Sequence, residues 1–356
     1  MNSSIFNFDM IKLFSKIVLI IVLFILANRI TYFATNEAEV WHHDVGDFKK
    51  SALLGSADEH NMLILGSSRI DRGVIPEAFD SSLADTSLHL FNFGMGRLII
   101  PVVFYVYEEF LNNDSLQLRI VFMELSANKV DEIFFKSGML DFYDLKEYTF
   151  SVNSHFQELS TNTSHHIDQI FQHSKAITTK ILGGMDLVAH FSSPQNYSGD
   201  PTLMFNSGFI LSDNKIPKEK LKKQREILIQ DTTWIDLNKA RDFNAFSHKY
   251  DPADYNRVYY EKIEQLIQFS EKKGVQLIFL MPMRFLTDRE ANLVPRVFQK
   301  IAAPNKIEMP INKELKELYT IKYSMDQIHL NETGARKYSR LLAIEFNKHQ
   351  QLHGPY

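Results

Sequence analysis

The chain has 356 residues and no cysteine. That absence excludes disulfides, zinc–thiolate sites and a cysteine nucleophile, and it suits an oxidising compartment. An excess of positive charge is missing as well. Lys and Arg number 39 against 43 Asp and Glu, for a net charge of −4 and a pI near 6.4. No basic run is interleaved with aromatics, so nucleic acid is not an expected partner. Metal-ligand spacing is absent too: His42-His43 and His165-His166 have no carboxylates at the required intervals and read as solvated histidines. Gly94-x-Gly96 lacks the third glycine and the acidic residue of a dinucleotide fingerprint, so no cofactor is expected. Lys218, Lys220, Lys222 and Lys223 read as a solvated helix face. What remains is ordinary globular composition, 45% hydrophobic and 23% charged, in a chain long enough to bury a large core.

Long apolar runs are scarce, and the one of note lies at the amino terminus. Lys12 and Lys16 precede the uninterrupted stretch IVLIIVLFILA at 17–27, which is followed by Asn28-Arg29 and then ITYFA. The stretch reaches the roughly 20 residues that cross a bilayer only when Leu13 and Phe14, or the segment beyond Arg29, are included. The surroundings of Ala27 make a poor small-x-small cleavage site, which favours an uncleaved anchor over a signal peptide. The lysines before the run leave the tail cytoplasmic and send the rest of the chain across the membrane. The expected organisation is a tail and single-pass anchor over 1–35 and one extracytoplasmic domain, periplasmic or at the cell surface, over 36–356.

Beyond that, apolar runs alternate with helix-length segments. MLIL at 62–65, LHLFNF at 88–93, RIVFMEL at 119–125 and VQLIFLM at 275–281 read as strands. Between them stand a helical segment opened by Pro76, a buried helix beginning near Pro101 and an amphipathic helix from Tyr255 to Ser270. Strands spaced by helices predict βαβ units and a parallel sheet. The rhythm lapses over about 129–253, which reads as a largely helical insertion over the carboxyl edge of the sheet.

Two stretches carry candidate chemistry. The first strand runs into Gly66-Ser67-Ser68-Arg69, at the edge where open α/β sheets bind ligands. Gly-Ser-Ser is equally ordinary turn and helix-cap chemistry, and strand register does not choose between the two serines. Near the carboxyl terminus, Asp326-Gln327-Ile328-His329 precedes Asn331, an N-cap for the last helix. At that spacing the carboxylate can meet one ring nitrogen while the other faces outward, as a general base requires.

GSSR after the first strand, Asn92-Phe93-Gly94 after the second and DxxHLNxxGA before the last helix occur in the order of the SGNH/GDSL hydrolase superfamily, which the chain resembles. The resemblance implies a flavodoxin-like three-layer α/β sandwich with Ser68 as nucleophile, Ser67 replacing the family's aspartate, and Asp326 and His329 completing a triad. It further implies an oxyanion hole from the Ser68 and Gly94 amides, with Arg69 and Asn92 as candidate substrate contacts. The family's Gly-x-Asn-Asp block is absent. The third strand leads instead into Glu124-Leu125-Ser126-Ala127-Asn128, where Asn128 takes the place of the oxyanion asparagine. A GSS block, a degenerate third block, an anchor and a long insertion resemble a narrower group, the membrane-anchored proteins that acylate cell-envelope polymers, of the teichoic acid D-alanyl transfer and alginate O-acetylation types. That likeness implies an extracytoplasmic O-acyltransferase, a multi-spanning membrane-bound O-acyltransferase as donor partner, and a polysaccharide or other envelope polymer as acceptor. An esterase on the same fold, and a non-catalytic polysaccharide-binding or scaffolding subunit, are the alternatives.

Overall fold

A strand covered on both faces is apolar at nearly every position, and the four strands read from the sequence are buried throughout. The computed structural model describes residues 45–131, 139–158, 162–181, 207–209 and 218–354, with Lys16 and Leu19. Apart from Lys16 and Leu19, the expected anchor lies outside the described residues, as do His42-His43 and part of the insertion. Among the described residues no helix is long and apolar enough to cross a membrane.

Strands β1 (Met62–Gly66), β2 (Leu90–Gly94), β3 (Ile120–Glu124), β4 (Gln276–Leu280) and β5 (Lys306–Ile307) form one sheet in the order β2-β1-β3-β4-β5. Every pairing is parallel. The chain therefore winds one way from β1 to β2 and the other way from β3 onward. The switch between β1 and β3 opens a crevice at their carboxyl ends.

Successive residues of each strand feed opposite cores, because side chains alternate across a sheet. Leu63, Leu65, Phe91, Phe93, Val121, Met123, Leu277 and Phe279 face one helix layer: α1 (Val45–Gly55), α4 (Val102–Leu111), α9 (Arg257–Lys272) and α10 (Asp288–Lys300). Met62, Ile64, Leu90, Ile120, Phe122, Ile278 and Leu280 face the other: α2 (Ser68–Gly73), α3 (Pro76–Asp80) and α12 (Glu332–His353). The described part of the insertion is helical: α5 (Leu145–Gln157), α6 (Thr163–Ile181), α7 (Lys218–Gln230) and α8 (Thr233–Ser247). A short α11 (Lys313–Glu317) follows β5.

Several elements differ from the sequence reading. The second strand starts at Leu90 rather than Leu88, because the His89 amide is taken by the Asn61 side chain at 3.0 Å. The stretch before His60 carries α1, α10 is built on a capping box between Thr287 and Glu290, and β5 is only two residues long. Ser207 and Gly208 run beside the outer edge of β2, where the Asn92 amide donates to the Ser207 carbonyl at 2.8 Å. Gly208 has φ +77°, and a Cβ there would fall 2.5 Å from the Asn92 carbonyl oxygen, so only glycine permits this approach.

Candidate active site

The two serines after β1 divide the two roles that the turn offered. Ser67 is the N-cap of α2, with extended backbone at φ −72° and ψ −170°. Its hydroxyl accepts from the Arg69 amide at 3.2 Å, and its own amide donates to Glu124 at 2.7 Å at the end of the neighbouring β3. Ser67 is buried, whereas Ser68, the first residue of the helix, is half-buried with its side chain free to face the crevice.

The loop before α12 brings the other two groups to the same place. Asn331 caps the helix by accepting from the Gly334 amide at 2.9 Å and ties itself back to the Lys322 carbonyl at 2.7 Å. An isolated antiparallel bridge between Ser324 and Leu330 closes the base of the loop, and the Met325 amide donates to the His329 carbonyl at 2.9 Å. Inside it, the Asp326 carboxylate accepts from the amides of Ile328 and His329, each at 2.7 Å. The His329 ring lies between Asp326 and Ser68, with Nδ1 2.8 Å from Asp326 Oδ2 and Nε2 2.9 Å from Ser68 Oγ. Ser68 and His329 are 261 residues apart in sequence. The insertion fastens this loop from outside, as Arg225 of α7 donates to the carbonyls of Ile321 at 2.9 Å and Ser324 at 2.5 Å.

The electrostatics match the geometry. Burial alone would raise the Asp326 carboxyl, but hydrogen bonding and attraction from His329 and the two loop amides hold it down to about 2. Burial lowers the His329 imidazole below its ordinary value; Asp326 pushes it back up, and the Arg72 guanidinium pushes it further down. The resting pair is a carboxylate and a neutral imidazole. With Nδ1–H directed at Asp326, Nε2 is left to accept the serine proton.

Two buried ion pairs hold the floor of the crevice. Arg69 reaches Glu124 at 2.9 Å and grips both oxygens of Glu290, the residue that also caps α10, at 2.6 and 3.2 Å. Lys49 of α1 reaches Asp71 at 2.8 Å and the carbonyls of Asn92 and Gly94 at 3.1 and 2.5 Å.

Four expected site roles do not survive this arrangement. Gly94 does not offer its amide to the crevice, because that N–H donates to Asn92 Oδ1 at 2.7 Å. Asn92 is fully buried, with its amide group donating to the carbonyls of Ile70 and Val74 at 3.0 and 2.6 Å, and is not a substrate contact. Arg69 is likewise consumed by its two carboxylates. Asn128 is fully buried against α5, its side chain exchanging hydrogen bonds with Ser151, and does not complete an oxyanion hole. The Ser68 amide has no acceptor among the described residues, and neither do the amides of Gly96 and Arg97. The latter two sit in a reverse turn at the end of β2, where Arg97 takes φ +71° and the Leu98 amide closes onto the Met95 carbonyl at 3.1 Å. The turn leaves both amides without an acceptor among the described residues, and a φ value is not legible in Gly-Arg.

His165-His166 is not a solvated pair either. His166 is buried with His155 and His173 between α5 and α6, with the His155 ring centre 5.4 Å from that of His166 and 5.3 Å from that of His173. Arg289 of α10 lies 3.1 Å from His155 Nδ1, and the same arginine donates to the Asn128 carbonyl at 2.6 Å. Burial, reinforced by Arg289, lowers all three imidazoles, His166 to about 4 and His173 to about 3. The Nε2 atoms of His155 and His173 are buried without a hydrogen-bond partner among the described residues. Among those residues, no group of histidines and carboxylates is arranged to hold a metal ion.

No protein-family profile, curated protein or solved structure matches the chain.

Proposed function

We propose that the protein is an SGNH-type serine O-acyltransferase, anchored in the membrane by its amino-terminal segment, that moves an acyl group through an acyl-serine onto a polysaccharide or other envelope polymer. The observation that carries this reading is the continuous chain Asp326–His329–Ser68, with contacts of 2.8 and 2.9 Å, standing beside the crevice of a sheet wound in the flavodoxin-like order. The anchor rests on the apolar run at 17–27 and the lysines before it, and the donor partner and acceptor rest on the sequence resemblance.

In this reading Ser68 Oγ attacks the acyl carbonyl while its proton passes to His329 Nε2. The tetrahedral oxyanion is met by the Ser68 amide and by Gly96 or Arg97, each donor contributing about 3 to 4 kcal/mol. The imidazolium then gives its proton to the departing group. The acyl-serine is resolved when His329 deprotonates an acceptor hydroxyl that attacks the acyl carbon; the Ser68 Oγ–acyl bond then breaks and the imidazolium returns that proton to Ser68, while Asp326 keeps the imidazole in the required tautomer throughout. An activated acyl group made in the cytoplasm has to be handed across the membrane, which is the part a multi-spanning O-acyltransferase would play.

Acylation of the cell-surface polymer in strains carrying single substitutions tests the proposal. Ser68→Ala is expected to abolish it with the protein still folded and membrane-bound, and Ser67→Ala to retain it at about 1 kcal/mol lower stability through loss of the cap. Normal acylation in Ser68→Ala cells overturns the reading. Rapid release of free acid by the purified protein, with no transfer to sugar hydroxyls, would make it an esterase.

A further inference from the structure

Ser68 and Arg72 are four residues apart on α2 and therefore share one face of the helix. Unlike Arg69, which is locked between two carboxylates with 8% of its side chain exposed, Arg72 keeps 20% exposed and makes only a looser contact with one carboxylate. Its nearest ion partner, Asp326 Oδ2, is 3.8 Å away, while its Nη1 lies 3.1 Å from His329 Nδ1. Its Nε is buried without a hydrogen-bond partner among the described residues. A guanidinium only donates, and Nδ1 is itself the donor to Asp326 when Nε2 accepts from Ser68. The 3.1 Å approach is therefore not a hydrogen bond in the base-competent tautomer. It is a fixed positive charge held against the imidazole.

Building on the acyl-transfer reading, we infer that Arg72 is a positioning residue that sets how long His329 can hold a proton. At rest it favours the neutral imidazole. Once Ser68 has surrendered its proton, the same charge destabilises the imidazolium and drives the proton on to the leaving group, making His329 a weaker base and a stronger acid. The carboxylates around the ring act the other way, Asp326 through its hydrogen bond and charge and Asp71 through its charge, so Arg72 works against them. Asp71 on α2 is matched by Lys49 of α1, and Asp326 is engaged with the ring and with two amides. Arg284, in the loop after β4, has its Nη2 on Ser324 Oγ at 2.9 Å and adds positive charge behind Asp326. The shift that burial and Arg72 impose on His329 runs in the direction this requires.

The test uses the purified full-length protein and a fluorophosphonate, which phosphonylates an activated serine by displacing fluoride whatever the natural substrate. The labelling rate of Ser68 as a function of pH reports the protonation of His329. Arg72→Met is expected to move the acidic limb up by about one pH unit, and Arg72→Lys, which keeps the charge, to stay close to wild type. NMR titration of the His329 ring should move by the same amount. A folded Arg72→Met protein whose limb and ring titration stay in place overturns the inference while leaving the serine mechanism standing. Failure of the wild-type protein to label at Ser68 at any pH overturns both, and Ser68→Ala identifies the labelled residue.

Discussion

Burial lowers the imidazole of His329 and those of His155, His166 and His173 alike, yet the two settings lead to different properties. His329 has an ionised carboxylate on one nitrogen and a hydroxyl on the other, so its protonated form is disfavoured at rest but has a waiting counter-ion. The α5–α6 histidines face one another, Arg289 and the Tyr143 hydroxyl, which lies 2.7 Å from His173 Nδ1, and Glu158 stands 3.7 Å from His166. A proton that arrives there is opposed by the arginine and by neighbouring rings. The contrast shows that depth of burial does not identify a general base. The identity of the group on each nitrogen does.

The sharpest way to separate the two settings is to remove one histidine from each. His329→Gln is expected to slow Ser68 phosphonylation by about 10⁴-fold, whereas His173→Gln should change it by no more than about threefold, since it touches nothing in the crevice. A comparable loss in both variants would mean that the histidine cluster is coupled to the triad. Next in size is the charge beneath the site. Arg69→Met leaves Glu124 and Glu290 buried without their cation, and chemical denaturation should register a loss of about 3 to 5 kcal/mol. Adding Glu290→Gln should recover part of it, and strict additivity of the two changes would argue against a coupled pair.

Acid should expose the opposite weakness in the insertion. The cluster histidines titrate lower in the folded protein than their ordinary value of 6.5, so below that pH the unfolded chain binds more protons. The stability these residues contribute is full above pH 6.5 and is lost as pH falls toward about 4 for His166 and about 3 for His173. Each contributes a slope of up to about 1.4 kcal/mol per pH unit in that window. Thermal melts between pH 7.5 and 5 should fall steeply for the wild type and less steeply for His173→Gln. Equal slopes would remove the cluster as their cause. Asp326, held at about 2, adds its own loss only below its ordinary value of 3.8.

How far the sequence reached depended on the range of the interaction concerned. Four strands were legible because both of their faces are buried, and the Asp326-x-x-His329 contact because three residues of one turn define it. The capping box Thr287-x-x-Glu290 was a local signal for α10 that could have been read. Lys49 was not legible, since a lysine in an ordinary helix shows nothing of the carboxylate 22 residues later that draws it into the interior. The same holds for Arg69, whose partner Glu290 is 221 residues away. Asn92 and Asn128 carry the right chemistry for a site, but long-range packing turned them inward.

The segment at Ser207 and Gly208 has a consequence for solubility. Strand β2 is an outermost strand, and its unpaired backbone would offer a template on which another chain could extend the sheet. The Ser207 carbonyl occupies the Asn92 amide of that edge, and the opposite margin, β5, is two residues long and too short to recruit a neighbour. Part of the insertion thus protects the sheet against edge-to-edge aggregation, a service separate from anything it does for the crevice, and Gly208 is the position at which a side chain would pry that cover loose.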